Sequence, residues 1–155
     1  MNKLFIWCFA VFMSCAGTPS QTSQDMQKNG EIIISESQGG ADQPGFKMIK
    51  NEQELQNFAD KGNSSIVEVG KEPAKTSLVF PKNKKVILYN LGMFRSGSHT
   101  ITQIKSISVK DNILYVEVPA VESGGMEIQV ISNPWFIFAV PSEYQFNSVA
   151  LKYSK

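Results

Sequence analysis

From residue 31 onward the chain runs in short apolar stretches separated by turn-forming residues. Glu31-Ile32-Ile33-Ile34-Ser35 is a brief β-branched run with the character of a strand, and Gly39-Gly40 and Pro44-Gly45 then break the chain. Helical spacing occurs once, from Asn51 to about Lys61. There Leu55, Phe58 and Ala59 make a narrow apolar stripe, Asn51 can cap the first turn with Glu54 as its capping-box partner, and Gly62-Asn63 is a stop signal. Beyond the helix every pattern is strand-like: Val86 to Leu91, Thr100 to Val109, and Ile113 to Val118 after an Asp111-Asn112 turn. In the second of these, Ile101, Ile107 and Val109 share a parity that Ile104 breaks, which predicts a one-residue bulge. Met126, Ile128 and Val130 alternate with Glu127, Gln129 and Ile131. Trp135 to Val140 is wholly apolar, as expected of a central strand buried on both faces. Val149, Leu151 and Tyr153 alternate with Ala150, Lys152 and Ser154, a half-exposed final strand. One helix followed by five or six antiparallel strands predicts a mainly β, α+β domain, most simply a small antiparallel β-sandwich with one N-terminal helix.

The start of the chain has a different pattern. Met1-Asn2-Lys3 is a short positive stretch, and Leu4 to Met13 is apolar throughout, too short for a membrane-spanning helix and the right length for the core of an export signal. It ends at Phe12-Met13-Ser14-Cys15-Ala16-Gly17. A small residue before a cysteine, just after an apolar core, resembles the bacterial lipobox. That resemblance implies a lipoprotein signal peptide over residues 1–14, with Cys15 the lipidated mature N-terminus. It departs from the usual pattern at Phe12, where leucine is common; an ordinary secretory cleavage near Ala16 or Gly17 and an uncleaved anchor are the alternatives. Ala16, not being aspartate, points by the same resemblance to the outer membrane. The other cysteine, Cys8, lies within the signal, so an exported chain would keep no free thiol in an oxidising compartment. Two or three acyl chains anchor stably, since each buried CH₂ contributes about 0.8 kcal/mol.

Residues 15–30 are small and polar and cannot bury enough surface to offset chain entropy, so they read as a tether. Residues 31–46 supply a strand and a loop that the pattern assigns neither to the tether nor to the domain, which is expected over 47–155. Of 15 Lys+Arg, Lys3 lies in the signal, leaving 14 against 14 Asp+Glu. A neutral mature chain lacks the basic face that nucleic acid demands. Lys82, Lys84 and Lys85, beside Pro81 and Asn83, read as a solvated turn.

Catalytic chemistry finds little footing. His99 is the single histidine. Ser96-Gly97-Ser98 next to it is no Gly-x-Ser-x-Gly elbow, and adjacent residues on a turn rarely give nucleophile–base geometry. A transition-metal cage needs more ligands than one histidine and scattered carboxylates, and Asp111-Asn112 is better explained by a hairpin than by calcium. Gly39-Gly40 and Gly124-Gly125 lack the flanks of a phosphate loop. No cofactor is expected, and no enzymatic activity. What remains is recognition by loops on a rigid sheet. Gly92 to His99 and Ser132 to Trp135 carry Phe94, Arg95, His99 and Trp135 as candidate partner-binding residues, Arg and Trp being frequent interface anchors. Trp135 reads more readily as a core residue, and His99 as a plain turn residue. Gly92 and Gly97 are expected at positive φ.

Over residues 84–141 the order of elements resembles a known family. Val86 to Gly92 is a strand closed by Leu-Gly, Arg95-Ser96-Gly97-Ser98-His99 is a small-residue turn, and Ile104 to Val118 forms a hairpin. Val130 to Ile137, with Asn133-Pro134-Trp135, and Ala139-Val140-Pro141 then follow. This is similar to the C-terminal domain of the protease complex subunit PrcB family, and the helix around Leu55 and Phe58 resembles that family's lead-in helix. The family's Gly-Gly-Tyr-like turn has Ser98 and His99 in place of its second glycine and its tyrosine, and Glu122-Ser123-Gly124-Gly125 replaces a proline-rich segment. The resemblance implies an exported, often lipid-anchored, non-catalytic subunit associated with a protease complex. A looser likeness, confined to Ser96-Gly97-Ser98 and Asn133-Pro134-Trp135, is to the chagasin type of cysteine-protease inhibitor, which inserts such loops into an active-site cleft. A structural envelope lipoprotein without a specific ligand is the third reading.

Overall fold

The computed structural model describes residues 30–63, 78–95, 99–120 and 130–155. The signal peptide, the tether, Cys15, the Ser96-Gly97-Ser98 turn and the alternation expected over residues 126–129 lie outside the described residues.

Over the described residues the fold is mainly β, with two sheets and one helix. The first sheet has four strands in the order β1 (Glu31–Glu36), β6 (Trp135–Pro141), β3 (Lys84–Asn90), β2 (Gly45–Ile49), all antiparallel neighbours. The second has three, β4 (Ser106–Lys110), β5 (Ile113–Pro119) and β7 (Ser148–Ser154). The uniformly antiparallel sandwich expected from the sequence needs one correction: β5 and β7 run parallel. The chain leaves β5, passes through β6 in the other sheet and returns alongside, a long connection of the kind parallel neighbours require.

The four-stranded sheet separates two apolar clusters, and the pleat sorts residues between them. Ile87, Phe136, Phe138 and Val140 face the small sheet, where Ile107, Leu114, Val116, Val118 and Val149 complete one core. Val86, Leu88, Trp135, Ile137 and Ala139 face the other way and are covered by Leu55 and Phe58 of α1 (Glu52–Asn63). The layers are therefore helix, large sheet, small sheet. β6 is apolar at every position because both its faces are interior.

Residues 31–46 belong to the folded unit, since β1 is an edge strand hydrogen-bonded to β6. The bulge expected between Ile101 and Ile104 is not found: residues 101–105 form no strand, although Ile101 is buried. A register shift lies instead in β1, between Ile32 and Ile34. The extra residue puts Ile33 and Ile34 together on the helix side while Ile32 packs on the other core. Asp111 and Asn112 have φ of 53° and 60°, the two left-handed residues that a tight hairpin between β4 and β5 needs.

The helix starts as its sequence predicts. Asn51 Oδ1 accepts the Glu54 amide at 2.9 Å. Glu54 Oε2 reaches back one residue further than a standard capping box and accepts the Lys50 amide at 3.0 Å. Glu54 also pairs with Lys47. The Lys47 ammonium, followed by the Lys50 amide, holds this carboxyl below its ordinary value.

Candidate functional site

Topology dictates what lies at one end of the large sheet. Glu36, Trp135, Asn90 and Gly45 are register neighbours there, and Glu31, Lys84, Pro141 and Ile49 lie towards the other end. The chain must pass from β1, one edge, to β2, the opposite edge, so residues 37–44 cross the ends of β6 and β3 as a strap. Its polar groups are used up in the crossing. Gly40 N donates to Asn133 O at 2.8 Å, and Met93 N donates to Asp42 O at 3.1 Å. Asn133 Nδ2 donates to Asp42 Oδ1 at 2.9 Å, and Ala41 N donates to Asn90 Oδ1 at 3.1 Å. Gly40 allows this approach: a Cβ there would lie 2.6 Å from the Asn133 carbonyl oxygen. Gly92 has φ of 92°, the positive value expected of it, and packs against Pro44.

Beyond the strap, β3 and β6 continue as a short ribbon. Leu91 N donates to Pro134 O at 2.9 Å. Phe94 and Ser132 exchange both backbone bonds, at 2.8 and 2.9 Å. This bridge sets the register, with Arg95 opposite Ile131 and Met93 opposite Asn133. Phe94 and Ser132 turn inward. Phe94 packs against the inter-sheet core and Ser132 is buried, its hydroxyl without a hydrogen-bond partner among the described residues. Met93, Arg95, Ile131 and Asn133 therefore share the outward, helix-side face. Met93 is 44% exposed, Ile131 61%, and Arg95 is also exposed. Val130 next to them is 48% exposed.

The sequence candidates divide accordingly. Phe94 and His99 come together, their rings stacked with centroids 3.8 Å apart, both half-buried. Arg95 stands on the outward face beside them. Trp135 is corrected as a partner-binding residue. It is 4% exposed, lies 6.0 Å from the Phe58 ring, and donates from Nε1 to Gln38 O at 2.8 Å. An indole so covered and so satisfied is interior. Pro134 before it is also fully buried. Sequence reasoning missed Met93, Val130 and Ile131. Their signal was present only as apolar residues beside Gly92 and Asn133, where the strand pattern ends. Gly39-Gly40 and Pro44-Gly45, read as breaks, lie within the strap and at its end.

Several polar groups elsewhere are paired among themselves. On the outer face of the small sheet Ser106 Oγ donates to Glu117 Oε2 at 2.5 Å, which leads the lowering of that carboxyl's pKa, and the Lys152 ammonium sits 4.0 Å from the centre of the Tyr115 ring. Lys84 pairs with Glu31 at 2.7 Å, and Lys85 donates to the Tyr144 carbonyl. Among the described residues no group of three or more His, Cys, Asp and Glu side chains could hold a metal ion, and no helix is long and apolar enough to cross a membrane. No protein-family model, curated protein or solved structure matches the chain.

Proposed function

We propose that this protein is a non-catalytic, lipid-anchored binding subunit of the bacterial cell envelope, attached through Cys15, sited at the outer membrane, and serving as the accessory partner of a protease complex. The observation that carries the binding role is the ribbon beyond Asn90 and Trp135. It presents Met93, Arg95 and Ile131 outward on a backbone fixed by the strap and by the Phe94–Ser132 bridge. A surface already ordered before its partner arrives loses little conformational freedom on binding. The export and anchoring part rests on the lipobox-like sequence, and the protease part on the PrcB-like order of elements over residues 84–141.

Affinity capture tests this reading. Mature protein is used as bait in envelope extract of its own organism, with bound proteins identified by mass spectrometry. Stoichiometric recovery of a protease whose activity persists in the complex is the expected result; recovery of nothing above background would overturn the accessory role. For the anchor, Cys15→Ala should move the protein out of the membrane fraction, and retention after detergent-free washing would contradict lipidation.

The inhibitor reading has one observation in favour and one against. Arg95 and His99, which flank the Ser96-Gly97-Ser98 turn, lie at the same end as Asn133. However, the Asn133-Pro134-Trp135 loop that would enter a cleft is committed to the interior at Pro134 and Trp135 and to Asp42 at Asn133. An inhibitor would abolish the captured protease's activity, which separates the two readings.

A further inference from the structure

We draw no further inference here: the strongest candidate, the seam between the edge strands β2 and β7 where Phe46, its register neighbour Tyr89 and Tyr153 stand partly exposed, is an apolar surface and nothing among the described residues shows what covers it.

Discussion

Trp135 and Ile131 lie on the same face of one extended segment, four residues apart, yet Trp135 is 4% exposed and Ile131 is 61% exposed. Both are large and apolar, so residue character does not separate them. What separates them is what crosses the sheet. Over Trp135 lie Phe58 of the helix and the strap, whose Gln38 carbonyl takes the indole N–H. At Ile131, among the described residues, the Gln38 side-chain amide reaches the backbone carbonyl and the side chain stays exposed. Apolar surface left bare beside a hydrogen-bonded frame is the physical form of an interaction site.

The largest expected effect comes from attacking the covered member of the pair. Trp135→Ala should cost about 3–5 kcal/mol in chemical denaturation, as truncation of a buried aromatic does, whereas Ile131→Ser should stay within about 0.5 kcal/mol. Comparable losses at the two positions would erase the contrast. Gly40→Ala comes next. Its Cβ would press on the Asn133 carbonyl, a backbone atom that cannot swing aside, and the expected loss is about 1–3 kcal/mol. Because the strap frames the ribbon, chemical shifts of Met93 and Ile131 should move in that variant even though neither residue touches Gly40 directly. Unmoved shifts would show that the ribbon keeps its geometry without the strap.

A smaller effect concerns the helix that covers Trp135. Asn51→Ala removes its cap and should cost about 1 kcal/mol. Glu54 adds a pH signature. Its folded-state pKa is depressed from 4.5, mainly by the Lys47 ammonium. Its contribution is therefore complete above the unfolded-state value and disappears as pH falls through the folded-state one. The difference in Tm between the wild type and Glu54→Gln should be constant near neutrality and shrink below about pH 4.5; a difference that grows with acidity would reverse the sign of the linkage. The smallest effect is Ser132→Ala. A buried hydroxyl with no partner contributes no hydrogen bond, so its removal should leave stability unchanged or raise it by up to about 1 kcal/mol.

Much of this fold was legible because pattern and environment agree. The unbroken apolar run of β6 marks a strand with two interior faces, Asp111-Asn112 marks a hairpin, and Asn51 with Glu54 marks a helix start. The failures have physical causes. Gly45 to Ile49 hid a strand because Met48 turns to one core, Ile49, of opposite parity, turns to the other, and Phe46 is exposed. Ile101 and Ile104 resembled a bulged strand because burial alone, with no ladder, can select apolar residues. The parallel pairing of β5 with β7 has no local signature, since it depends on a connection through the other sheet. At the site, Phe94, Arg95 and His99 were legible as loop residues next to Gly92. Trp135 was ambiguous, and the covering that resolves it comes from the strap and from α1, which lie far away in sequence. The same distance hid Ile131, whose exposure depends on where the strap stops.

The most direct measurement is site-specific photo-crosslinking in intact cells. A benzophenone side chain is placed in turn at Met93 and Ile131 on the ribbon, and at Ser108 and Tyr115 on the outer face of the small sheet. One discrete protein adduct shared by the two ribbon positions, and none from the small sheet, is the result expected of a binding subunit that docks through this platform. Adducts from Ser108 or Tyr115 with none from Ile131 would contradict it.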